Sequence, residues 1–197
     1  EERHTARIGA RHSFSQGSIL LGSLMYQDAK FRSRDNQFLG LPDAVADTNN
    51  PVKFWCGELQ HLFRSKSWGL TSGVGYFNLN GKLDTSLSLF GVDSSITEST
   101  DQDHTNAYAY ANINAMPNVT LTLGLSADWV RADNREVGDK DEFNPKFGIP
   151  WQPLPATTVR AAAFKVLKRT LITDQTLEPT QVAGFNQFFD DVNGTQS

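Results

Sequence analysis

Val119-Thr120-Leu121-Thr122-Leu123-Gly124-Leu125-Ser126-Ala127-Asp128-Trp129 alternates apolar with small or polar residues from end to end. Side chains on an extended strand point to opposite faces in turn, so Val119, Leu121, Leu123, Leu125, Ala127 and Trp129 share one surface. Thr120, Thr122, Gly124, Ser126 and Asp128 share the other. The preceding run repeats the pattern, with Ala107, Ala109, Ala111 and Ile113 opposed to Asn106, Tyr108, Tyr110, Asn112 and Asn114. Register is fixed wherever one face is apolar, so the two runs read as a hairpin whose polar rows lie on one side.

Bulky aromatics add a length scale. Trp55 and Phe63, Trp68 and Tyr76, and Phe143 and Trp151 are each eight residues apart. An even separation keeps each pair on one face, and eight residues at about 3.3 Å rise and roughly 40° tilt span on the order of 20 Å. That approaches the height of a bilayer's apolar band, whose two water interfaces collect aromatic rings. Trp55, Phe63, Trp68, Tyr76, Trp129, Phe143 and Trp151 are therefore expected as membrane-interface residues.

Composition agrees with strands rather than helices. Only 39% of the 197 residues are hydrophobic, and no uncharged apolar run approaches the roughly 20 residues of a spanning helix. A barrel with a wet interior hides every second residue from lipid and keeps a water-soluble average. With 22 acidic against 18 basic residues and a net charge of −4, no basic block marks a nucleic-acid partner. The single cysteine, Cys56, forms no intrachain disulfide and reads as a small wall residue.

Strands are expected at about 4–14, 18–30, 52–64, 68–80, 104–115, 119–131, 143–152, 157–168 and 181–190. Tight turns fall at Ser15-Gln16-Gly17, Ser65-Lys66-Ser67, Met116-Pro117-Asn118 and Pro153-Leu154-Pro155-Ala156, while polar loops are expected at about 31–51, 81–103, 132–142 and 169–180. Short connections on one side and long ones on the other describe an up-and-down meander between two compartments. On the third strand Trp55, Gly57, Leu59 and Phe63 face lipid, and Cys56, Glu58, Gln60 and Arg64 face inward; on the seventh, Phe143, Phe147, Ile149 and Trp151 oppose Asn144, Lys146 and Gln152.

The stretch Phe143-Asn144-Pro145-Lys146-Phe147-Gly148, followed after a turn by Val159-Arg160-Ala161-Ala162, resembles a segment of the barrel of TonB-dependent outer-membrane receptors. There an "NPKFG" strand descends to a periplasmic turn and an "LRAA" strand returns. Leu177-Glu178-Pro179-Thr180 is similar to the family's leucine-x-proline-acidic loop ending, with Glu and Pro exchanged and Thr in the acidic place. The same barrel type occurs in proteins with helical repeats ahead of it. The resemblance implies an outer-membrane location and no enzymatic activity or cofactor. The partners it implies are outer-membrane lipid, a small-molecule or metal-chelate ligand at extracellular loops, and a periplasmic energy-coupling protein reached through an N-terminal region.

Several residues invite a role. Glu58, Arg64, Asp128, Lys146 and Arg160 are lumen-lining candidates, either filtering a permeating solute or neutralising one another across neighbouring strands. Asp133, Asp139, Asp141 and Glu142 crowd one loop as weak metal-ligand candidates, against the plainer reading of a solvated acidic loop. No histidine has a partner at catalytic spacing, and no nucleophile elbow occurs.

The chain opens at Glu1-Glu2-Arg3 without an apolar signal segment and stops at Asn193-Gly194-Thr195-Gln196-Ser197, a turn-like sequence. The expectation is an all-β fold: an antiparallel up-and-down transmembrane β-barrel, partial, with about nine strands of a larger one. Residues 1–197 then form a fragment of a single barrel domain with no plug domain or signal peptide. The expected function is import of a scarce solute. The alternatives are a passive or export pore with a recognition domain upstream, and a soluble all-β binding module.

Overall fold

The computed structural model of the chain describes residues 2–36, 44–133, 138–167 and 176–186. Eight strands follow one another in both sequence and space: β1 (Glu2–Ser15), β2 (Ser18–Asp35), β3 (Ala44–Arg64), β4 (Trp68–Leu89), β5 (Val92–Met116), β6 (Val119–Ala132), β7 (Lys140–Leu154) and β8 (Thr157–Phe164). They form a single antiparallel sheet in the order β1 to β8, an unclosed barrel wall. Every neighbour is joined by a hairpin, so the ladder satisfies the backbone of each inner strand locally.

The turns expected from Gly, Ser, Pro and Asn are present between β1 and β2, β3 and β4, β5 and β6, and β7 and β8. Gly17 is needed at the first. Its carbonyl accepts the Arg64 amide at 2.7 Å, and a Cβ there would strike the Arg64 backbone.

The opposite ends depart from expectation. Much of 31–51 and nearly all of 81–103 is strand, not loop, while of 132–142 the strands take in Ala132 and 140–142: β4 and β5 stay paired as far as Leu89↔Val92 and reverse at Phe90-Gly91. Both turn residues have positive φ, 51° and 81°, as a two-residue hairpin turn demands. The Ser, Thr and Asp that suggested loops serve as cross-strand partners. Thr97 Oγ1 donates to Asp84 at 2.7 Å, and the Lys82 ammonium lies 2.9 Å from the same carboxylate. Lys82, then Thr97, hold the Asp84 carboxyl below the usual carboxylate range. The expected loop segments 37–43, 134–137 and 169–175 lie outside the described residues.

The ninth expected strand is also different. Residues 181–186 form a miniature hairpin, β9 (Gln181–Val182) and β10 (Phe185–Asn186), that pairs with itself and not with the wall. Residues 187–190 lie outside the described residues. β8 closes at Phe164 rather than continuing to 168.

Register carries the two faces across the sheet. Ile113↔Leu121, Ala111↔Leu123 and Ala109↔Leu125 align one row type, and Asn112↔Thr122, Tyr110↔Gly124 and Tyr108↔Ser126 the other. Burial is inverted relative to a water-soluble sheet. Leu123 and Leu125 are 43% and 50% exposed, whereas Ser126 and Asp128 are 2% and 1% exposed. Ile8, Leu24, Leu59, Val74 and Phe147 continue the open apolar face on other strands. The inner side holds two small apolar clusters, one of Met25, Phe54, Cys56 and Phe77 and one of Tyr108, Tyr110 and Val182, set among buried polar residues. No helix among the described residues is long and apolar enough to cross a membrane; the strands have the pattern that does.

Leu123→Arg is expected to lower the unfolding free energy of the vesicle-embedded protein by about 2–4 kcal/mol. Asn112→Arg, on the opposite face, is expected to change it by under about 1 kcal/mol. Denaturant titration in lipid vesicles measures both, and equal losses would contradict the face assignment.

Candidate functional site

Among the described residues, charged and amide side chains converge out of water on the inner face of β3 to β7. β5 contributes His104, Asn106, Tyr108 and Tyr110 from successive inward positions, all buried. β6 adds Ser126 and Asp128, and β7 adds Asn144 and Lys146. Alternation alone puts them there, because every second residue of a one-sided strand must leave the apolar face.

Two networks organise these groups. In the first, Asp128 accepts from His104 Nε2 at 2.8 Å and from Asn144 Nδ2 at 2.7 Å, and the His104 ring stacks on Phe77 at 5.3 Å. In the second, Lys146 donates to Ser126 Oγ at 2.6 Å and lies over the Tyr110 ring, 5.3 Å from its centroid.

The second network extends to a segment far away in sequence. Glu178, 4% exposed, accepts from Tyr110 OH at 2.7 Å and from Asn106 Nδ2 at 3.0 Å, with Lys146 Nζ 3.9 Å away. A buried ion pair recovers its desolvation cost only when hydrogen bonds satisfy the remaining lone pairs, as Tyr110 and Asn106 do here. Just before Glu178 in the same segment, the Thr176 hydroxyl and the Leu177 amide donate to Glu58 at 2.6 and 2.9 Å. Gln60 donates to the Leu177 carbonyl and to Tyr108 OH. Val182, fully buried, packs on Tyr108 and Tyr110 beside Ala162 and Phe164.

Glycines make room for this layer. A Cβ on Gly124 would lie 2.8 Å from Tyr110 Cδ1, and one on Gly148 2.8 Å from Ala183 Cβ and 2.9 Å from Val182 Cγ1. The wall is thinned where Tyr110 and residues 182–183 lie against it.

The structure brings together three of the five lumen-lining candidates' surroundings: Glu58, Asp128 and Lys146 are buried on the inner face within these networks. Arg64 and Arg160 share the inward parity but are exposed, Arg64 beside the β3–β4 turn and Arg160 against Gly184. Of the seven aromatics, Trp55, Tyr76, Trp129 and Phe143 lie toward the long-hairpin side and Phe63, Trp68 and Trp151 toward the short turns. Phe63 and Trp68 pack with ring centroids 4.9 Å apart.

Three of the four acidic residues at the β6–β7 connection face cationic side chains. Arg131 Nη1 meets Asp141 Oδ1 at 2.5 Å, Arg131 Nε lies 3.8 Å from Asp139, and Lys165 pairs with Glu142. The Arg131 guanidinium holds the Asp141 carboxyl below the usual range. Asp133 is exposed, its amide bonded to the Asp101 carbonyl at 3.1 Å. Among the described residues no group of three His, Cys, Asp or Glu side chains gathers at metal-binding distance.

Sequence reasoning did not single out His104, Asn106, Tyr110 or Glu178 as members of one site. The parity of β5 identifies the first three as a row. Nothing local brings Glu178 to them.

The family described as TonB dependent receptor-like, beta-barrel matches residues 1–195. Among solved structures, the chain is similar to FpvA of P. aeruginosa bound to heterologous pyoverdines (TM-score 0.63, 13% identity, 81% of this chain and 26% of that one). It is similar also to the copper transporter OprC (0.62, 15%, 81% and 28%) and to the ferric citrate transporter FecA in unliganded form (0.58, 14%, 82% and 27%). The chain thus spans about a quarter of the length of these proteins. No curated protein matches it.

Asp128→Ala strands the His104 and Asn144 donors in a buried setting and is expected to cost about 1–3 kcal/mol of unfolding free energy. The same denaturant titration reads it, and an unchanged midpoint would show that the network contributes nothing.

Proposed function

The chain belongs to the TonB-dependent receptor-like β-barrel family of outer-membrane proteins, and we propose that it supplies consecutive wall strands of a larger barrel that imports a scarce solute. The observation that carries this reading is the inverted burial, with leucine outside and aspartate, asparagine and lysine inside. A wall of this kind separates hydrocarbon from a hydrated bore. Among the described residues, β1 and β8 each pair on one side only; in a larger barrel their other edges are taken up by further strands.

On this reading the short turns face the periplasm and the long hairpins face outward. Tyr76, Trp129, Phe143 and Trp55 mark the outer interface, and Trp68, Phe63 and Trp151 the inner one. Glu58, Asp128 and Lys146 line the bore, with Arg64 and Arg160 nearer its periplasmic mouth. A small molecule or metal chelate is caught by the outer hairpins, and a periplasmic energy-coupling protein drives its release. The β4–β5 hairpin suits that catching role: it runs on from Tyr76 to Phe90 at its tip, on the order of 40 Å of strand.

Deleting the gene and measuring energised uptake of a panel of labelled iron, copper and organic-acid chelates tests the proposal. The expected result is loss of uptake of one chelate class, abolished equally in wild type by a protonophore. Uptake that survives the protonophore would favour a passive conduit. Recovery of the protein in the detergent-free soluble fraction would overturn the barrel reading altogether.

A further inference from the structure

We propose that residues 176–186 are a releasable strap inside the bore: a segment of the chain that occupies the inner wall as a tethered ligand and must leave it for this side of the bore to open. The inference rests on the barrel reading above.

The strap joins two of the sequence stretches that carry the family resemblance. Lys146 and Gly148 of the Asn-Pro-Lys-Phe-Gly strand meet Glu178 and Val182 of the segment that begins Leu-Glu-Pro-Thr. Lys146, Tyr110 and Asn106 are respectively 5%, 2% and 0% exposed and converge on the Glu178 carboxylate. One ammonium and two neutral donors around a single carboxylate make a built receptor for that group. Glu58 forms a second anchor, gripping the strap by the Thr176 hydroxyl and the Leu177 amide.

Three properties make the strap removable. First, its hairpin belongs to a separate two-stranded sheet, so it can detach without breaking the β1 to β8 ladder. Second, its main anchors are polar, and water or an incoming carboxylate can replace them in a hydrated bore. Third, it has little structure of its own. Two residues on each side of a turn do not hold a hairpin, and Ala183 sits at φ 51° in the left-handed region, which disfavours side chains. The wall therefore holds the strap in shape, so undocking and unravelling are one event.

The test uses the full-length protein in outer membranes with Cys56→Ala, which removes the only cysteine of this chain, and a reporter cysteine at Ala162 beneath Val182. The probe is a small sulfonate-bearing methanethiosulfonate reagent, and the readout is labelling rate. Labelling is expected to be slow in this parent. It should be at least tenfold faster with Glu178→Ala, which removes the anchor, and with Gly148→Leu, which pushes Val182 and Ala183 off the wall but leaves Glu178 in place. A reporter at Thr5, on β1 two strands away from the Glu58 anchor, should not change.

Equal Ala162 labelling in parent and both variants would overturn the strap. If one variant fails to insert, the other decides; if both fail to insert while the parent does, the segment is fixed scaffold and the proposal falls. A parent that never reaches the outer membrane would sink the barrel reading instead, visible as absence of a heat-modifiable band.

Discussion

Backbone hydrogen bonding in a medium without water governs this molecule. In hydrocarbon each unpaired amide or carbonyl costs several kcal/mol, and a continuous antiparallel ladder is one of the two ways to satisfy them all. The eight-strand meander supplies that ladder with connections of two or three residues on one side. Once the ladder exists, alternation does the rest. Each strand must present apolar groups to lipid, and the residues between them are turned inward whatever they are. Leu123 open and Asp128 buried are two consequences of one geometric rule.

The inner wall shows what the rule leaves to be solved. Polar groups turned inward still need partners, and the chain provides them partly across strands, as Asp128 with His104 and Asn144, and partly from residues 176–178. The glycines at 124 and 148 give Tyr110 and the returning segment space. That returning segment is the one proposed above as a releasable strap.

Much of this was legible in the residues. The face assignment of β5 and β6 followed from period-two alternation, because a lipid boundary punishes every exception. The four tight turns followed from Gly, Ser, Asn and Pro. The strand ends above Tyr76 did not, since Asp84, Thr97 and their neighbours are solvated on both faces and lose the alternation that marks a strand. The docking of Glu178 on Tyr110 and Asn106 was equally hidden. It joins residues 68 and 72 positions apart, and no local pattern encodes such a contact. The segment around 181–190 has strand-like composition, but strand propensity does not say whether a segment extends the wall or folds back over it.

The most direct measurement is quenching of single tryptophans by lipids brominated in mid-chain, in a background where Trp55, Trp68, Trp129 and Trp151 are phenylalanine. The account predicts strong quenching of Leu123→Trp and little of Tyr110→Trp, although the two positions lie at nearly the same height on adjacent strands. Equal quenching at both, or none at Leu123, would contradict it.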